Sequence, residues 1–158
     1  MNCSCARFMR VLAATLALAG CGYQSGSFES LEHPFLGNQI TVDCLDMAID
    51  RRADLPDGRA VVSYTFGNRC DHPVVVDLAS VAVVGRNADG VSATMAAYDP
   101  RHEIMALRID ARTVGGEAIA YTSDDPADQI CIDAASIAHA PTTAWMCLGS
   151  RPQLTEVP

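Results

Sequence analysis

From Gln39 to Leu148 apolar side chains recur at every second position in short runs, broken by turn residues roughly every 8–12 positions. A period of two sends successive side chains to opposite faces of a strand, so each run can bury one face and wet the other. Ala60, Val62, Tyr64 and Phe66 alternate in this way with Val61, Ser63 and Thr65. Val91, Ala93, Met95 and Ala97 do the same, as do Met105, Leu107 and Ile109. Ile40, Val42 and Cys44 alternate in one parity and Leu45, Met47 and Ile49 in the other, which predicts a bulge or kink near Cys44–Leu45. Val74–Val84 is a β-branched run with a break expected at Ala79–Ser80. "VGGEAIAYT" is expected to hold a Gly–Gly turn and then a strand through Ile119 and Tyr121, and "QICID" and "AWMCL" read as the last two strands. "LPDG" and "NADG" are turn and hairpin signals, and "SDDPAD" reads as an acidic loop. No run sustains a helical period. The expected fold is all-β, an antiparallel sandwich of about seven to eight short strands rather than alternating βα units.

The residues before this region have a different grammar. Met1–Arg10 carries Arg7 and Arg10 and no acid, Val11–Ala19 is uncharged and mostly apolar, and Ala19, Gly20 and Cys21 follow. A basic head, an apolar middle and small residues at a cleavage site make up a secretory signal. The apolar run is too short to span a bilayer, which takes roughly 20 residues. Leu18-Ala19-Gly20-Cys21 resembles the lipobox of bacterial lipoproteins. That resemblance implies a diacylated (palmitate-type) thiol on Cys21, cleavage just before it, and attachment to the membrane through the lipid. Gly22 rather than Asp after the cysteine points, by the sorting rule of such lipoproteins, to the outer membrane. Two or three acyl chains anchor firmly, since each buried CH₂ contributes about 0.8 kcal/mol. The expected organisation is residues 1–20 as signal, 21–38 as lipidated N-terminus and flexible tether, 39–149 as the β domain and 150–158 as a loose tail. A flexible run of about 17 residues would have a reach of roughly 20–25 Å. Phe35 and Leu36 within it are costly to leave in water.

A chain starting at Cys21 would hold 138 residues, enough for one domain with a core. It has no lysine, and its nine arginines face nineteen acids, a net charge of −10. So acidic a surface keeps a domain soluble and disfavours nucleic acid and anionic lipid as partners.

Of seven cysteines, Cys3 and Cys5 leave with the signal and Cys21 takes lipid. Cys44, Cys70, Cys131 and Cys147 remain, an even set that in an exported domain reads as two disulfides. Cys44 and Cys70 are centred on "LPDG", and Cys131 and Cys147 on "AHAPT", so each pair can face across its own hairpin. The expected bridges are Cys44–Cys70 and Cys131–Cys147, each worth roughly 2–4 kcal/mol. Zinc would want closer pairs than the 16 positions between Cys131 and Cys147.

"AVVSYTFGNRCDHPVVVDLASVAVVGRNADG" resembles the strand–loop–strand–hairpin of immunoglobulin-like accessory domains of bacterial envelope proteins. The resemblance implies an immunoglobulin-like sandwich and no activity. The expected bridges differ from the inter-sheet bridge of antibody domains, and Trp145 stands two residues before Cys147 instead of between bridging cysteines.

Signatures of catalysis and ligand binding are sparse. His33, His72, His102 and His139 show no H-x-H or H-x-x-x-H spacing, so no metal site is expected. Calcium-loop registers with their glycine at Gly90 or Gly58 place Gly85 and Ala96, or Ala53 and Leu55, where oxygen ligands are required. There is neither a G-x-S-x-G elbow nor a phosphate-binding loop. No cofactor is expected and no catalytic residue is assigned. The densest polar stretch is "YDPRHE", whose Tyr98, Asp99, Arg101, His102 and Glu103 form a candidate binding loop. Set against that is a rigid Asp99–Pro100 corner with Arg101 paired to Glu103. The expected role is a binding or structural module at the cell envelope, with an accessory or inhibitor subunit of another envelope protein as the alternative and an envelope hydrolase behind both.

Overall fold

The computed structural model describes residues 23–149 except 53, 102, 125 and 126. Within them run β1 Asn38–Val42, β2 Leu45–Arg51, β3 Ala60–Asn68, β4 Val74–Val76, β5 Val83–Arg86, β6 Ser92–Thr94, β7 Ala96–Ala97, β8 Leu107–Ile109, β9 Val114–Thr122, β10 Gln129–Asp133, the helical turn α1 Ala134–Ile137 and β11 Trp145–Gly149. The fold is all-β, and every strand pairing is antiparallel. One sheet has five strands in the order β1-β2-β3-β9-β7, a second has four in the order β11-β10-β5-β6, and β4 pairs with β8.

The alternation decides which residues meet. Leu45, Met47 and Ile49 of β2, Ala60, Val62, Tyr64 and Phe66 of β3, and Ile119 and Tyr121 of β9 share one core with Val76, Val83, Ile130, Ile132 and Leu148. The Tyr64 and Tyr121 hydroxyls share a hydrogen bond of 2.7 Å inside it, so each buried oxygen has a partner. Arg51 continues the inward parity of β2. Its guanidinium bonds Asp54 at 2.8 and 3.0 Å and the carbonyls of Ala127 and Asp128 at 2.9 and 3.1 Å, tying the five-stranded sheet to the segment entering β10. Asn68 closes the other end of β3. Its Nδ2 lies 2.9–3.1 Å from the carbonyls of His72, Ile109 and Asp110, and its Oδ1 accepts from the Cys70 N–H.

Both disulfides form as expected. Cys44–Cys70 closes the open end of the β2–β3 hairpin, with Cα atoms 5.3 Å apart. Cys131 and Cys147 are direct partners on β10 and β11, 4.0 Å apart. Each bridge lies within one sheet, unlike the inter-sheet bridge of antibody domains.

Four expectations change. The parity switch at Cys44–Leu45 is a hairpin, not a bulge: Val42 pairs with Leu45, and Asp43 turns the chain at φ +54°. Gly115 and Gly116 lie inside β9 and make no turn. A Cβ on Gly116 would stand 2.9 Å from the Tyr64 carbonyl and 3.3 Å from His33 Nδ1, so the glycine permits close approach. The run 91–97 divides at buried Met95, with β6 in the four-stranded sheet and β7 in the five-stranded one. Finally, the segment 23–37 is pinned to the domain at Tyr23, Gly26, Phe28 and Phe35 where a flexible tether was expected. Tyr23 and Phe35 are buried with Ala48 against the outer face of the five-stranded sheet, their rings stacked at 5.6 Å, and Phe28 meets Phe35 edge-on. Apolar rings leave water wherever a sheet face is free to receive them. Cys21, His102 and the tail 150–158 lie outside the described residues.

Candidate functional site

The candidate loop forms one wall of an open groove of about 760 Å³. Tyr98, Asp99, Arg101 and Glu103 line it together with Met105, Arg59 and Glu117–Ala120 of β9. β7 leads into it: its pairing with β9 ends at Ala97–Tyr121, and the Tyr98 N–H still donates to the Ala120 carbonyl at 2.7 Å. The chain then turns away at Asp99–Pro100.

Asp99 holds the corner. One carboxylate oxygen accepts the Glu103 N–H at 2.7 Å and the other the Ile104 N–H at 3.1 Å, leaving little of it for a ligand. Arg101 lies 3.8 Å from Glu103, both at least 71% exposed, a pair that water screens strongly. The rigid-corner reading of "YDPRHE" therefore describes these two pairs well. Tyr98 differs, because the Arg59 guanidinium stacks 3.9 Å above its ring. Arg59 also pairs with Asp57, and that hydrogen bond, ahead of every other influence, holds the Asp57 carboxyl below its usual range.

The groove has a backbone edge. Past β7, β9 has no strand partner on this side among the described residues. Val61 and Asn68 direct their backbone bonds to Arg52 and Thr113 respectively, so the alternation of the ladder turns the N–H and C=O of Ala118 away from β3. The Glu117 carboxylate accepts that Ala118 N–H at 3.0 Å. Met105, 79% exposed, stands beside this edge. Arg59, Met105 and Glu117 escaped the sequence reading as groove residues, since Arg59 stands 39 positions before Tyr98 and Glu117 19 after it, and alternation does not show which strands lie side by side.

A smaller cleft of about 240 Å³ lies at Cys44–Cys70 and is lined by Asp43, His72 and His139 among others. His72 faces Asp71 at 2.9 Å in solvent. Among the described residues no group of three or more His, Cys, Asp or Glu could hold a metal ion.

A third polar cluster is buried. Asp46 is wholly inaccessible on the outer face of β2. Its carboxylate accepts from the Tyr23 hydroxyl at 2.8 Å, the Gly26 N–H at 2.7 Å and the Thr41 hydroxyl at 2.6 Å, with Arg69 Nε at 3.6 Å. Burial pulls its pKa upward, but the three hydrogen bonds and the Arg69 charge outweigh it and leave the carboxyl below its ordinary value. Burial, reinforced by the Asp46 charge, pushes Tyr23 up to about 12.

No family model matches the chain, and no curated protein matches it. Among solved structures, the yjhA protein from Bacillus subtilis is similar over 73% of this chain and 98% of its own, at 8% identity and a TM-score of 0.44.

Proposed function

We propose that this chain is a lipid-anchored protein of the cell envelope, acylated at Cys21 and directed to the outer membrane, whose immunoglobulin-like sandwich serves as a binding or structural module. The alternative is an accessory or inhibitor subunit docked on another envelope protein. The lipobox resemblance supports the address. The observation that carries the binding role is the open edge of β9 beside Tyr98 and Met105. Extended segments bind such edges through main-chain hydrogen bonds, and flanking side chains choose among them.

Photo-crosslinking in native membranes tests this. A photoreactive residue at Met105 is expected to capture a discrete envelope protein, and one at Val91, on the β5–β6 hairpin, is not. Ala118→Pro removes the edge N–H without touching the β3 ladder, and should reduce capture at least fivefold. Equal capture from both positions, or capture indifferent to proline, overturns the binding role. Cys21→Ser should move the chain from washed membranes to the soluble fraction; retention in the membranes contradicts the anchor.

A further inference from the structure

The stretch after the lipobox cysteine is welded to the domain. The Tyr23 N–H donates to the Arg112 carbonyl at 2.7 Å, its hydroxyl and the Gly26 N–H reach Asp46, and Arg112 donates to Ser25 at 3.2 Å. The Tyr23 ring lies so close over Gly67 that a Cβ there would fall 2.2 Å from two ring atoms. Two Cα–Cα steps, about 7 Å at most, separate Cys21 from this packed residue.

Position along β3 then sets direction. Gly67, under Tyr23, is near one end of a nine-residue strand, and Ala60, paired with Tyr121, is at the other. The strand is about 27 Å long. Arg59, Tyr98 and the loop that follows Thr122 share the Ala60 end, whereas Arg69, Asp71 and Arg112 share the Gly67 end.

We propose that residues 23–37 are a rigid dock that seats the domain on the lipid bilayer with the Tyr23–Gly67 end of the five-stranded sheet facing the lipid and the Arg59–Tyr98 groove at the far end. This rests on the anchor proposed for Cys21. A tether would let the acidic domain tumble, while a dock holds the edge at Ala118, opposite Ser63, about 13 Å farther from the lipid than Gly67.

The full chain, processed in a bacterial host and reconstituted into phosphatidylcholine vesicles bearing acceptor-labelled headgroups, tests this. A fluorescent amino acid is placed at position 71, at the proposed lipid end, or at position 52, at the far end of β2. The dock predicts transfer at least twofold more efficient from position 71. Ten Gly/Ser residues inserted between Gly22 and Tyr23 leave every packed contact intact and should bring the two efficiencies together. Equal transfer from the uninserted chain, or a stronger signal from position 52, overturns the orientation. The mass of the N-terminal peptide is read on the same sample: an unmodified Cys21 overturns the anchor and the orientation with it, whereas an acylated chain with equal transfer overturns the orientation alone.

Discussion

Asp46→Ala would strip three donors of their shared acceptor at a half-buried site. Hydrogen bonds to a charged group contribute about 1.5–3 kcal/mol each, so Tyr23→Phe should cost about 2 kcal/mol and Asp46→Ala more, read as shifted midpoints in urea unfolding. The two losses should fall short of additive, because both break the same bond. The pH dependence follows from the direction of the shift. With its folded pKa below the ordinary 3.8, Asp46 contributes stability that is complete above that value and is lost as pH falls through the folded one. Asp46→Asn should therefore flatten the acid limb of a stability–pH curve. At the alkaline end, burial raises Tyr23 and Tyr121 to about 12 and Tyr64 well above 10. Their neutral forms add stability that is whole below pH 10 and declines above it. An absorbance titration should show these three tyrosines ionising late or together with unfolding.

At the level of elements, most strands were legible because alternation is local. "LPDG" and "NADG" do turn the chain, and the run 60–66 is the heart of β3. The errors came where one local signal has two structural answers. A parity switch fits a bulge or a two-residue hairpin, and only pairing of Val42 with Leu45 decides between them. A Gly–Gly pair fits a turn or a strand crowded on both sides, and the crowding comes from Tyr64 and His33, distant in sequence. Gly116→Ala is expected to destabilise by about 1–3 kcal/mol, since the added methyl meets a backbone carbonyl that cannot yield without disturbing β3. Thermal unfolding of the variant checks this. Replacing Cys131 and Cys147 together by alanine should lower stability by roughly 2–4 kcal/mol, measured by urea unfolding without reductant so that Cys44–Cys70 stays closed.

Across the whole molecule, the few buried polar side chains do the joining. Arg51, 3% exposed, bonds Asp54 and two carbonyls just before β10 and so links the five-stranded sheet to the four-stranded one. Arg51→Met would leave Asp54 and both carbonyls without their donor. A loss of about 3–5 kcal/mol is expected, with faster hydrogen exchange in β10 than in β3.

The sequence by itself determined the strand alternation, the bridges available to an even set of cysteines and the acidic surface, because each depends on near neighbours or on composition. Tertiary structure alone decided that residues 23–37 lie on a sheet face, that Asp46 fastens them, and that Arg59 and Glu117 join Tyr98 at one groove. Those outcomes depend on which strand lies beside which, and a period of two carries no information about its partner.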